Sequence, residues 1–252
     1  MFKRLIKAWI GAGREEQRFH GTFNRVVAEG GFLSGNSGVL LDVGARDGVF
    51  IEQLLLALER ASSNPAAVRA SWKAIVVDIN FDYLAEARKR FPTVAADMEG
   101  GDWPFASGGA SCVVMNQLLE HLKDPFRVLG EADRVLRAGG LLILGVPNLA
   151  GWVNRLYLLC GKQPPAIHFP GPHVRGFTWR AFKRFLETNP NFRIEKTFGS
   201  CWYPLPPFLS EAWAVRRPQA ASYMFFVLRK TADAQPSAWL IPRGATGETT
   251  FG

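Results

Sequence analysis

Five short apolar runs alternate with helical patterns along the middle of this chain, and that alternation limits the fold more than any other feature. The runs are VLLDV (39–43), AIVVD (74–78), TVAA (93–96), SCVVMN (111–116) and LLILGVP (141–147). Near-continuous apolar strands are what a sheet covered on both faces requires. Strands separated by helical stretches of ten or more residues read as crossover units. The expected fold is α/β: a Rossmann-like, seven-stranded, mostly parallel sheet with helices on both faces. FRIEKTF (192–198) and YMFFVLRK (223–230) complete the strand count, with no helix evident between them, and the last strand is expected to run antiparallel.

Between the strands, helices are expected near 50–60, over FDYLAEARKRF (81–91) and near 178–188, the last capped by Thr178. Asp124 as N-cap and Pro125 at the first helical position open another, which is expected to stop at Ala138-Gly139-Gly140. ASSNPAAVRAS (61–71) reads as an inserted surface loop. The expected organisation is an N-terminal helical extension (1–33), a domain (34–230) and a C-terminal tail (231–252) without periodicity, read as poorly ordered. Long segments at 148–177 and 199–222 fall on the side where ligands bind in such sheets. They carry Trp152, Tyr157, Trp202, Tyr203, Phe208 and Trp213, and suggest a ligand with an apolar or ring portion.

A glycine turn follows the first strand, in LLDVGARDGVF (40–50). A dinucleotide site wants G-x-G-x-x-G there, but the spacing gives Gly44, Arg46 and Val49. Nicotinamide and flavin cofactors are disfavoured. Asp78 ends the second strand, where a carboxylate can accept hydrogen bonds from both ribose hydroxyls. An adenosine without a pyrophosphate remains, which points to S-adenosylmethionine.

Taken together, these stretches resemble the class I S-adenosylmethionine-dependent methyltransferases, over roughly 38–188. LLDVGARDG is similar to the first motif of that family, VVDIN to the second, AADM with WPF to the third, NQLLEHLKDP to the stretch after the fourth strand, and RVLRAGGLLILGVPN to the fifth. VPNLAGWVNRLYLLCGKQP and PHVRGFTWRAF resemble segments of the small-molecule branch, which includes methyltransferase type 11 and ubiquinone-biosynthesis O-methyltransferase-like proteins. The resemblance implies a cofactor site of Asp42, Gly44, Ala45, Arg46, Gly48, Asp78, Ile79, Asp97, Met98, Asn116 and Gln117. Asp97 would approach the adenine amino group and Met98 its ring. Two departures stand out. Arg46 replaces the middle glycine of the turn, facing either the cofactor's carboxylate or solvent. The interval from Gly48 to Asp78 also exceeds the ~20 residues usual in such units.

Methyl transfer needs a base only where the nucleophile must lose a proton, and His121 and His173 are the candidates. His168 and His173 lack a third ligand, so no metal site is expected. The expected activity is transfer of a methyl group to a small or lipid-like molecule by in-line displacement. The alternative is an inactive S-adenosylmethionine-binding partner or regulator. A net charge of +8 would suit nucleic acid, but the basic residues are dispersed, with no run of five, and no nucleic-acid partner is expected. Neither N-P-P-Y nor D-P-P-Y occurs. Three cysteines without metal-ligand spacing point to a reduced, cytoplasmic setting. Residues 1–10 place Phe2, Leu5, Ile6, Trp9 and Ile10 beside Lys3, Arg4 and Lys7, the pattern of a helix making peripheral contact with an anionic membrane or packing on protein.

Overall fold

The computed structural model describes residues 12–33, 36–202, 205, 207–231 and 239. The amphipathic segment 1–10 lies outside them.

The seven strands are β1 (Gly38–Val43), β2 (Trp72–Asp78), β3 (Thr93–Ala95), β4 (Ala110–Asn116), β5 (Leu136–Pro147), β6 (Phe192–Ser200) and β7 (Tyr223–Lys230). They form one sheet in the order β3-β2-β1-β4-β5-β7-β6. β1 to β5 pair in parallel, and β7 runs antiparallel between β5 and β6. The order reverses between β1 and β4, and that switch point opens a crevice beyond the strands' carboxyl ends.

Alternate residues of each strand feed the two faces. Leu40, Val76, Val114, Ile143 and Phe225 pack on one side with Phe23 of helix α1 (Ala12–Glu29) and Leu54 of α2 (Val49–Ala61). Leu41, Val77, Val113, Leu142 and Phe226 pack on the other, against Val128 and Leu129 of α5 (Pro125–Val135) and Phe182 of α7 (Trp179–Leu186). The two-residue period explains the apolar runs: a strand covered on both faces has no polar side.

Several expectations need correction. The segment 61–71 holds a helix, α3 (Pro65–Ser71), started by Asn64, whose side chain accepts from the Ala67 N–H at 3.2 Å, with Pro65 at the first turn. The helix after β2 is α4 (Phe81–Ala87), shorter than expected. Helix α5 ends at Val135, and Gly139-Gly140 lies within β5, near a register shift against β4 between Ala110 and Cys112. Between β6 and β7 there is a helix after all, α8 (Pro207–Arg216), hidden in the sequence by the prolines around its start. Thr178 precedes α7 but makes no side-chain cap. Trp239, in the tail expected to be poorly ordered, is fully buried, its ring 4.8 Å from that of Phe192.

Candidate functional site

The carboxyl ends of β1, β2 and β4 border a cleft of about 1030 Å³. Its first wall is the turn after β1. The Gly44 and Ala45 N–H groups donate to the Val77 carbonyl at 2.8 and 3.3 Å, which fastens the turn to β2. Gly44 takes φ 70°, and a Cβ there would lie 2.7 Å from Leu118 Cδ1. Gly48 takes φ 75° and faces the core: an added Cβ would meet Val76 Cγ2 at 3.1 Å. Gly48 therefore shapes the turn from behind and is not part of the cleft wall.

Arg46 also adopts a left-handed conformation, φ 52°. Such a conformation costs an ordinary residue roughly 1–2 kcal/mol, so something must hold it. Its backbone N–H donates to Asp78 Oδ2 at 2.8 Å. Asp78 Oδ1 accepts from the Asn80 N–H at 2.9 Å. Two main-chain donors thus fix this carboxylate on the cleft wall. The Arg46 guanidinium lies over the Tyr83 ring of α4, 5.3 Å from its centroid. The side chain leaves the turn toward α4 and does not obstruct it.

Asp42 is buried, and its Oδ2 has no hydrogen-bond partner among the described residues. Burial, reinforced by the nearby Asp78, pushes its pKa up to about 8. Asn116 Oδ1 and Gln117 Nε2 are likewise buried and unpaired among the described residues. Gln117 takes φ 56°, held by its N–H to the Gly145 carbonyl at 2.8 Å. Gly145 makes room for Asn116, since a Cβ there would sit 2.4 Å from Asn116 Oδ1. Such orphaned polar atoms in a cleft want a polar ligand. On the far side, exposed Ile79 and buried Met98 offer apolar surface. The Met98 carbonyl accepts from Trp103 Nε1 at 3.2 Å, which explains the WPF segment as an anchor. Asp97 is exposed on the rim and accepts from the Glu99 N–H at 2.9 Å.

Of the expected cofactor residues, Asp42, Gly44, Ala45, Arg46, Asp78, Ile79, Asp97, Met98, Asn116 and Gln117 line one cleft. These residues suit an adenosyl group bearing a cation: anchored Asp78 for ribose hydroxyls, apolar Ile79 and Met98 for a base, unpaired Asp42 for positive charge. The sequence reading missed His20 and Tyr223, which also line the cleft. His20 comes from α1, where only helical periodicity was visible; its ring meets Phe50 at 5.0 Å.

His121 lines the cleft, and His173 stands behind it, the ring centroids 4.8 Å apart. Burial, then the neighbouring His173, lowers the His121 pKa. The two segments are clamped together: Val174 and Arg175 donate their N–H groups to the Glu120 carbonyl at 2.9 and 3.2 Å. The loops at 148–177 and 199–222 are also joined. Asn148 Nδ2 reaches the Ala221 carbonyl at 2.9 Å and the Trp152 N–H reaches that of Ala220 at 3.1 Å. Trp202 and Trp213 pack on each other, 6.0 Å apart, and do not line the cleft. Tyr203 falls outside the described residues, as does the Phe208 side chain.

Residues 41–144 match the family model for a methyltransferase domain. A protein of Mycolicibacterium smegmatis, described as a probable S-adenosylmethionine-dependent methyltransferase, is 30% identical over 129 residues, covering 49% of this chain and 46% of that protein. The malonyl-[acyl-carrier protein] O-methyltransferase of Legionella pneumophila is 29% identical over 110 residues, covering 41% of this chain and 34% of that enzyme. The chain spans less than half the length of the curated relatives it matches. The fold is shared with a solved SAM-dependent methyltransferase from Archaeoglobus fulgidus, with TM-score 0.56, 15% identity, and 85% of this chain and 97% of that one covered. With five motifs in order on the expected strands and turns, the region 41–144 is a methyltransferase domain of the class I S-adenosylmethionine-dependent family.

Proposed function

We propose that this protein transfers a methyl group from S-adenosylmethionine to a small or lipid-like molecule. The observation that carries this reading is the clamped carboxylate of Asp78, held by the Arg46 and Asn80 N–H groups on the wall of a cleft where Asp42 Oδ2, Asn116 Oδ1 and Gln117 Nε2 lack partners among the described residues. Bound in this cleft, the cofactor would supply an activated methyl on a sulfonium, which a nucleophile takes by in-line displacement. The chain's residues then have to bind, orient and exclude water. Asp78 holds ribose hydroxyls, Ile79 and Met98 flank the base, and Asp42 places negative charge where a cation sits. Asp97, on the rim, is left for the adenine amino group.

The acceptor side is the joined pair of loops. Leu159 and Phe169, at 82% and 90% exposure, present apolar side chains in the segment 148–177. They support an acceptor with an apolar portion, and the Legionella relative is named for an acyl-carrier-protein substrate. No described helix is long and apolar enough to cross a membrane. Peripheral contact through residues 1–10 remains part of the proposal. Arg46, which suggested an inactive relative, fits the turn with its side chain on Tyr83, so no observation favours that reading.

Calorimetry tests the cofactor assignment. The wild type is expected to bind S-adenosylmethionine with a Kd in the micromolar range, roughly −7 to −8 kcal/mol. Asp78→Ala is expected to lose about 1–3 kcal/mol, the worth of charge-assisted hydrogen bonds. Equal affinity in both proteins removes Asp78 from the site.

A further inference from the structure

Glu120 presents an unusual situation. The residue is 1% exposed, yet neither carboxyl oxygen has a hydrogen-bond partner among the described residues. A buried carboxyl that answers to nothing costs stability, so it needs a counter-charge or a proton.

Two imidazoles stand beside it. One carboxyl oxygen of Glu120 and one ring nitrogen each of His121 and His173 all lie within 4.8 Å of one another. Both rings already have a carbonyl at Nδ1: His121 Nδ1 is 3.3 Å from the Pro172 carbonyl and His173 Nδ1 is 2.9 Å from that of Ala166. A carbonyl can only accept, so Nδ1 carries the hydrogen and the lone pair moves to Nε2 in both rings. Metal-binding histidines are oriented in this manner, one nitrogen donating to a backbone carbonyl and the other free to coordinate. The sequence reading had paired His173 with His168; the fold pairs it with His121 instead.

We propose that Glu120, His121 and His173 bind a divalent first-row transition-metal ion at the edge of the cleft. Two nitrogens and one carboxylate oxygen form the donor set of open zinc sites, and imidazoles disfavour Mg²⁺, which prefers oxygen. Donor atoms about 2.0–2.1 Å from a tetrahedral ion stand roughly 3.4 Å apart. The trio must therefore close by little more than an ångström. The connecting segments are already braced for this: Arg175 also donates through Nε to the Leu122 carbonyl at 3.2 Å and through a second nitrogen to that of Lys123. His121 borders the cleft, so open coordination positions can meet the acceptor there.

A function for the ion rests on the methyl-transfer reading. An acceptor hydroxyl bound to the ion would lose its proton to solvent more readily, and the resulting oxygen would take the methyl as the carbon–sulfur bond breaks. Neither histidine is then itself the base. Metal binding alone does not depend on that reading.

The experiment uses the full chain, stripped with a chelator and titrated with Zn²⁺, Mn²⁺ and Mg²⁺ by calorimetry, and with Co²⁺ by visible absorption. The expected result is one equivalent of Zn²⁺ or Co²⁺ bound, with a tetrahedral or five-coordinate cobalt spectrum and much weaker Mg²⁺ uptake. Glu120→Gln and His173→Ala should each weaken binding at least tenfold, and His168→Ala should not. Should His173→Ala fail to fold, Glu120→Gln, which keeps the side-chain shape, decides alone. Absence of saturable uptake in the wild type, or equal uptake by Glu120→Gln, overturns the site. S-adenosylmethionine binding is measured on the same samples. Its loss with metal uptake intact counts against the cofactor reading alone, whereas intact cofactor binding without metal uptake counts against the metal site alone.

Discussion

The backbone N–H of Arg46 and the carboxylate of Asp78 are joined by a 2.8 Å hydrogen bond, although 32 positions separate them in the chain. The bond uses the main chain, so it is indifferent to the side chain at position 46. Arg46→Gly keeps it and gives up the contact with Tyr83. That loss is partly offset because glycine takes φ 52° without strain. The expected change in S-adenosylmethionine affinity is below about threefold, or 0.6 kcal/mol. Arg46→Pro removes the N–H and cannot adopt the conformation. It should weaken binding by at least about 1–3 kcal/mol, the cost of leaving a charged acceptor short of a donor. Calorimetry on the two variants separates backbone from side chain; a large loss for Arg46→Gly would give the guanidinium a direct role.

Gly48 makes a different demand. Its φ of 75° and the Val76 methyl 3.1 Å from a would-be Cβ penalise any side chain. Gly48→Ala should cost about 1–3 kcal/mol of stability, which in a chain of this size lowers Tm by a few degrees per kcal/mol. Thermal unfolding checks it. Because Gly48 sits behind the turn, cofactor affinity at a temperature where the variant is folded should fall less than for Asp78→Ala.

Trp239 lies in a stretch whose sequence shows no periodicity. Its indole stacks on Phe192 and stands 6.4 Å from Phe185, fully buried. Trp239→Ala should therefore destabilise the fold by about 3–5 kcal/mol, as large aromatic truncations in cores do. Trp239→Phe should cost much less. It keeps the stacking and removes an indole N–H that has no partner among the described residues. Denaturant unfolding of both variants decides. An unchanged midpoint for Trp239→Ala would mean the residue adds nothing to the core.

The legible parts of this chain were those written in local chemistry. Strands buried on both faces must be apolar, so β1, β2, β4 and β7 could be read almost residue by residue, and β5 over its second half. The place of Asp78 at the cleft could be read because ligands in such sheets bind beyond the strands' carboxyl ends. Contacts between distant segments were not legible. Nothing near His173 says that it meets His121 across more than fifty positions, or that Glu120 is buried between elements. His20 reaches the cleft from a helix whose periodicity reports only that one face is apolar. Helix α8 was masked by the prolines at its start, and the Gly139-Gly140 pair, read as a helix stop, belongs to an irregular strand. In each case the deciding interaction is tertiary, and local propensity yields to it.

Asp42 ties the site to pH. Its folded pKa of about 8, against an ordinary value of 3.8, arises first from burial and second from Asp78. The folded state thus binds a proton that the unfolded chain releases. For an acid raised in this way, the contribution to stability is fully present below about pH 4. It is lost progressively as pH rises from there to about 8. Asp42→Asn, which cannot ionise, should flatten that part of the stability curve and make the cofactor-free protein relatively more stable at pH 8 than at pH 5. A positively charged ligand reverses the local balance, because a cation beside Asp42 favours its ionised form. Binding of S-adenosylmethionine at pH 7 should then release a proton, and affinity should rise between pH 6 and 8. Calorimetry in two buffers of different ionisation heat measures that proton directly. If the apparent enthalpy is the same in both buffers, or if Asp42→Asn releases as many protons as the wild type, Asp42 does not carry the coupling.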